Sequence, residues 1–148
     1  MAVPAPTRED THILTLTVDR GSAAGKKDTG IWDRKEGGEI DSEENKYKPG
    51  AMGQEISLGG PVSVGNVTFS RYYDWIRDDP LLPWLKNGVG AARGYLGVQM
   101  LDVNGSKQGA LMTYGGTLKT LTPPELDSTS NDAALWSVEF TCDTVAFS

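Results

Sequence analysis

The sequence predicts a mainly β protein, a β-sandwich or barrel-like domain with one short flanking α-helix and one long loop. Three observations carry this expectation. Apolar and polar residues alternate in His12 to Arg20, Gly65 to Arg71 and Ala134 to Phe147, the period of a strand with one buried face. The chain holds 18 Gly and 8 Pro, and these turn-forming residues punctuate the segments between. A single stretch, Asp78 to Gly88, joins a cap, an early Pro and an Asn-Gly stop to a helix-like crowding of Leu and Trp.

In chain order, residues 1–10 are rich in Pro and charge and read as an N-terminal arm. From His12 to Arg20 a strand points Leu14, Leu16 and Val18 to one face and Thr15, Thr17 and Asp19 to the other. Gly21 to Gly30 reads as a flexible turn, and Gly30 to Asp41 as a twisted strand broken at Gly37 and Gly38 and anchored by Trp32. A loop over 42–60 follows, in which Glu44 to Tyr47 and Gln54 to Leu58 have the makings of an extended hairpin. Val67 and Phe69 then face inward with Thr68 and Ser70 outward.

The helix is expected after Asp78 or Asp79 as cap, covering one end or face of the sheet. Tyr95 to Val103 and Gly109 to Leu121 form a hairpin about Asn104-Gly105, with a kink at Gly115-Gly116. A proline-stiffened loop leads to the last strand, with Trp136, Val138, Phe140 and Cys142 in one phase and Ser137, Glu139, Thr141 and Asp143 in the other.

At 148 residues there is room for one real core, so 1–148 is read as a single domain. The balance of 14 Lys+Arg against 20 Asp+Glu, net −6, argues against tight binding of phosphate backbones. No apolar run is long enough for a membrane helix, and the N-terminus has no signal-peptide pattern, so the expected place of synthesis is the cytoplasm. One cysteine permits no internal disulfide, and with His12 the only histidine there is no base for a nucleophilic Cys142. Glu43-Glu44 and Asp78-Asp79 are adjacent pairs without a controlled separation for acid and base work, and no glycine cluster has the phosphate-loop spacing. The expectation is no enzyme, no cofactor and no metal. Arg71 to Arg77 interleaves aromatic and basic residues, a pattern that suits nucleic-acid stacking as well as the anchoring of a strand end, and the acidic chain favours anchoring.

Four stretches carry a resemblance: Gly37 to Gly50, Ser57 to Pro61, Gly65 to Arg71 and Pro123 to Asp127. Together they resemble the major tail tube proteins of long-tailed, siphovirus-like bacteriophages. The resemblance implies a tail tube fold, in which hexameric rings joined sheet edge to sheet edge stack into a conduit for DNA. It implies as partners other copies of the chain, the tape-measure, tail terminator and tail-tip proteins, and DNA that passes without specific binding, all within a virion tail assembled in the host cytoplasm. Tube proteins of contractile tails and phage-like injection systems share the fold and form the alternative within this class.

The long loop gives the resemblance a physical basis. It sets Tyr47, Met52, Ile56 and Leu58 among glycines, on a segment with no core of its own, and long loops of this kind are usually functional. With Pro49 these are the inter-subunit candidates, each fully buried side chain worth roughly 1.5–3 kcal/mol before ordering costs. Thr15, Thr17, Asp19, Ser137, Glu139, Thr141 and Asp143 combine acids and hydroxyls with no Lys or Arg, which suits either an ordinary solvent face or a lumen wall that repels phosphate. A reading from another class is a monomeric β-sandwich that holds a carbohydrate or other ligand with Trp32, Trp75 or Trp84.

Overall fold

The computed structural model describes residues 11–42, 46–47, 50, 56–57 and 59–148; the arm over 1–10 and the candidates Pro49, Met52 and Leu58 lie outside the described residues. The elements among them are β1 (His12–Asp19), β2 (Lys26–Trp32), β3 (Arg34–Gly37), β4 (Ile40–Ser42), β5 (Lys46–Tyr47), β6 (Ile56–Ser57), β7 (Val62–Val64) and β8 (Val67–Tyr72). Two short helices follow, α1 (Trp75–Asp78) and α2 (Leu81–Lys86), and then β9 (Arg93–Leu101), β10 (Lys107–Thr122) and β11 (Leu135–Phe147).

The main sheet is antiparallel with strand order β2-β1-β9-β10-β11-β8-β3. Its two edges, β2 and β3, are one continuous stretch of chain interrupted only at Asp33. A sheet whose first and last strands are the same segment has to curl on itself, so the architecture is barrel-like, as the sequence leads one to expect. Leu14, Leu16, Val18, Leu96, Val98, Leu118, Val67, Phe69, Trp136, Val138, Phe140 and Cys142 fill its interior. The kink at Gly115-Gly116 is a register shift between β10 and β11, and Gly94 lies under the ring of Phe140.

Four expectations need correction. β2 begins at Lys26, inside the stretch read as a turn; it is an edge strand whose Lys26, Lys27 and Asp28 face water, so it lacks an apolar alternation. Where one helix is expected there are two, and Asp74 caps the first by accepting from the Ile76 N–H at 3.1 Å. Asp78 is no cap: it is fully buried. Trp32 is likewise a core residue, 4.9 Å from Trp136 and 6.3 Å from Phe69 between ring centroids, and offers no surface to a ligand.

Arg71 continues the inward phase of Val67 and Phe69 and is equally buried. It sits where β2 and β8 fail to pair: its Nη1 donates to the carbonyls of Thr29 and Ile31, and on the same side the Asp33 N–H reaches the Ser70 carbonyl. Side-chain donors thus replace the missing ladder and cover an edge that would otherwise be a template for aggregation. The guanidinium stands 4.2 Å from the Trp32 ring centroid and 5.3 Å from that of Trp136, and Nη2 donates to Asp78 Oδ1 at 2.6 Å. Asp78 also accepts from Arg77, the Asp74 N–H and Trp136 Nε1. Burial pushes its carboxyl up, but the hydrogen bonds from Arg77 and Asp74 and the charge of Arg71 outweigh that and hold it below the usual carboxylate range. Burial pulls Arg71 below its ordinary value, with Asp78 opposing.

Candidate assembly interface

The described residues on either side of and within the long loop pair as a two-stranded ribbon that continues two strands of the barrel. From Arg34↔Ser70 through Gly37↔Val67 and Ile40↔Val64 to Ser42↔Val62, each step forward on one strand matches one step back on the other. The register has moved by one residue at Lys46↔Ser57 and Tyr47↔Ile56, so β3/β8, β4/β7 and β5/β6 are successive stretches of one hairpin. Of the hairpin expected within the loop, Lys46–Tyr47 pairs with Ile56–Ser57, and the rest of it lies outside the described residues.

Its root is fixed at Gly37 and Gly38, both with positive φ (+82° and +87°), where a Cβ on Gly38 would lie 2.9 Å from the Tyr114 ring. Tyr114 Oη donates to the Gly38 carbonyl at 3.0 Å, and Lys35 Nζ, 5.2 Å from the Tyr114 ring centroid, donates to the Gly37 carbonyl. Burial pushes the Tyr114 hydroxyl up and pulls the Lys35 ammonium down. Beyond this root, Ile40 and Val62 are 50% and 70% exposed and Tyr47 is 54% exposed. Ile56 is placed by its pairing with Tyr47. Among the described residues no further strand pairs with the outer sides of β4 and β7, so the ribbon offers apolar side chains and free backbone edges together. Sequence reasoning missed Ile40 and Val62, although the alternation in both short strands was there to read.

The second set of candidates lies on the outer face of the barrel. Thr15, Thr141 and Asp143 are exposed, and Thr17, Asp19, Ser137 and Glu139 are half-buried. They do not form one acidic wall. β9 and β10 lie between β1 and β11 and bring cations to the same face: Arg93, opposite Asp19 in register, binds both carboxylate oxygens of Asp143 at 2.7 Å, and Lys119 reaches Glu139 at 3.4 Å. The hydrogen bonds from Arg93 hold the Asp143 carboxyl below its usual value. The cations of the middle strands are absent from the pattern of the end strands, which is why the face read as purely acidic.

A third surface includes Trp75, one of the aromatic residues considered for ligand binding, and joins it to residues that the sequence did not single out. Tyr72 and Leu135 are opposite each other across β8 and β11, both exposed, and Trp75 and Ile76 on α1 are 70% and 72% exposed beside them in the chain. Apolar groups concentrated in this way mark interaction surfaces. The ligand-binding alternative finds less support: Trp84 is covered by Arg20 and Lys27, at 5.3 and 5.1 Å from its ring centroid. The open groove from Thr122 to Leu135 is lined by no aromatic ring. Among the described residues no three His, Cys, Asp or Glu converge as metal ligands, and no helix is long and apolar enough to cross a membrane.

No protein-family model matches the chain, and no match was found among curated protein sequences. Solved structures do match its fold. A chain of the sheath-tube complex of an extracellular contractile injection system (PVC, extended state) superposes with a TM-score of 0.75 at 17% identity, over 99% of this chain and 93% of its own. A chain of the tube-terminating cap of the anti-feeding prophage matches with a TM-score of 0.76 at 18% identity, over 100% and 94%. A chain of the PVC sheath/tube terminator matches with 0.73 at 19% identity, over 99% of both. Over its whole length this chain therefore has the fold found in the tube and cap assemblies of contractile injection systems.

Proposed function

We propose that this chain is a structural subunit of a tail-type tube, with no catalytic role, that forms hexameric rings stacked into a hollow conduit. The observation that carries this reading is the full-length match to chains from sheath-tube, terminator and cap complexes. A ribbon with unpaired edges and exposed Ile40, Val62 and Tyr47 supports it, because such a segment gains burial against a partner surface, and stacked copies supply one. Other partners are a terminator at one end of the tube, baseplate or tip proteins at the other and a tape-measure protein; the cargo of a phage tube is DNA.

The motifs resemble the non-contractile phage group, whereas the solved structures reported above come from contractile systems. That observation favours a tube enclosed by a sheath, in a virion tail or a related injection particle. Negative-stain microscopy of the purified protein across a concentration series tests the tube reading. Rings or hollow tubes are expected; dispersed small particles at every concentration and ionic strength overturn it. Hydrogen exchange adds a second check, with protection of the ribbon expected to rise on assembly.

A further inference from the structure

The ribbon meets the barrel at a joint that crosses both of its strands at one height. β3 ends at Gly37 and β4 begins at Ile40, while β7 ends at Val64 and β8 begins at Val67, so residues 38–39 and 65–66 face each other between two ladders. The Gly38 N–H donates to the Asn66 carbonyl at 3.1 Å and the Gly65 N–H to the Glu39 carbonyl at 2.7 Å, and these bonds span the gap. Glycine stands on both strands here. A Cβ at Gly38 would lie 2.9 Å from the Tyr114 ring, and one at Gly65 would lie 3.0 Å from the Glu39 Cγ. A chain with glycine on both strands at the same height bends there more readily than in the ladders on either side.

The groups that hold this joint come from the barrel. Tyr114 belongs to β10, which β11 and β8 separate from β3 in the sheet, yet its buried side chain reaches the joint and donates to the Gly38 carbonyl at 3.0 Å. Lys35 Nζ donates to the next carbonyl back, that of Gly37, at 2.9 Å, and lies 5.2 Å from the Tyr114 ring centroid. Two successive carbonyls are thus taken by two side chains that also touch each other through cation and ring. Gly38 is buried, so its carbonyl loses its partner if the Tyr114 hydroxyl is removed while the ribbon keeps its direction. Turning the ribbon outward lets that carbonyl reach water instead.

We propose that residues 37–39 and 65–66 form a hinge and that Tyr114 and Lys35 are its latch. With both donors in place the ribbon leaves the barrel in one direction; without them it turns as a unit about the joint with its own β4/β7 ladder intact. The latch sets where Ile40 and Val62 are offered to any partner, and it stands whether or not the chain builds a tube.

The test uses the full chain and two variants, Tyr114→Phe, which keeps the ring and removes only the Oη donor, and Lys35→Met, which keeps the stem and removes the ammonium. Residue-resolved hydrogen exchange reads the joint, and thermal unfolding verifies that each variant is folded. Each variant is expected to speed exchange at the Gly38 and Gly65 amides about tenfold, with the amides of β4, β7 and β9 unchanged. Spin labels at Ser63→Cys on the ribbon and Thr120→Cys on the barrel, both exposed positions, read the ribbon's direction by double electron–electron resonance, with labelled chains diluted into unlabelled protein so that the distance is within one chain. Cys142 is buried and takes no label. One narrow distance is expected in the otherwise native chain, and a broader or second one in each variant. If Tyr114→Phe loosens the barrel itself, seen as faster exchange in β9, Lys35→Met at the half-buried mouth carries the test. Joint amides and distances unchanged in both variants overturn the latch, and so does a distance already broad with the latch in place. Amides of β4 and β7 that speed up together with those of the joint overturn the hinge, because the ribbon then frays instead of turning.

Discussion

Arg71 Nη2 and Asp78 Oδ1 lie 2.6 Å apart with both side chains sealed from solvent, and this contact holds the guanidinium whose Nη1 donates to the β2 carbonyls of Thr29 and Ile31 at the seam between β2 and β8. A single carboxylate serves two guanidinium groups, an indole N–H and the backbone of the Asp74 cap.

Asp78→Ala is therefore expected to be among the most damaging single changes in the chain. It leaves Arg71 buried and charged without its partner and orphans Trp136 Nε1, a loss of about 3–5 kcal/mol. Arg71→Met removes the donors to the Thr29 and Ile31 carbonyls but leaves Asp78 paired with Arg77, so a smaller loss of about 1–3 kcal/mol is expected. Urea denaturation of the two variants checks the order; equal losses would contradict the asymmetry.

The depressed Asp78 carboxyl gives this stability a pH dependence of definite sign. A group whose folded pKa lies below its unfolded value contributes fully above the unfolded value, about 4 for an aspartate, and less as pH falls through the folded value. Stability is expected to hold down to about pH 5 and to decline below it. Asp78→Asn is expected to flatten the acid limb, measured as the urea midpoint between pH 2 and 6.

Gly94→Ala tests the packing of β9 against β11. A Cβ at this position lies 2.1 Å from Phe140 Cε1 in the centre of the core, so ring or strand has to shift. The expected loss is about 1–3 kcal/mol by thermal or chemical unfolding. Phe140→Leu in the same chain is expected to recover part of it, which a purely backbone effect would not allow.

Cys142 is buried on the inward face of β11, and burial pushes its thiol up. At neutral pH a disulfide reagent is expected to leave the native protein unmodified and to react with one thiol per chain on unfolding. Rapid labelling of the folded protein would show that β11 opens locally.

The strands most legible in the sequence were those with one dry and one wet face. β1, β8 and β11 show their alternation plainly, and Leu16, Phe69 and Trp136 are buried as that pattern requires. β2 was hidden because it is an edge strand, and its buried polar residue, Thr29, is satisfied by the Leu16 carbonyl and by Trp32 Nε1, contacts that no local pattern announces. Arg71 stood in phase with Val67 and Phe69, yet a buried arginine is credible only with its partner, and Asp78 lies beyond a strand-to-helix corner. The site followed the same rule. Tyr47 and Ile56 were singled out through their glycine-rich surroundings, while the unbroken register from β3/β8 into β4/β7 depends on pairing between distant segments and leaves no mark in either strand.

The ribbon and the barrel seam share a strand, and this has a mechanical side. β8 carries the root of the ribbon at Val67 and the seam residue Arg71 four positions on, and it is held along its length by β11 and β3. A pull along the ribbon axis runs parallel to β8, so it loads the β8/β11 ladder in shear and strains its bonds together instead of peeling them one by one. Strands held in this geometry resist extension far better than they resist being unzipped sideways.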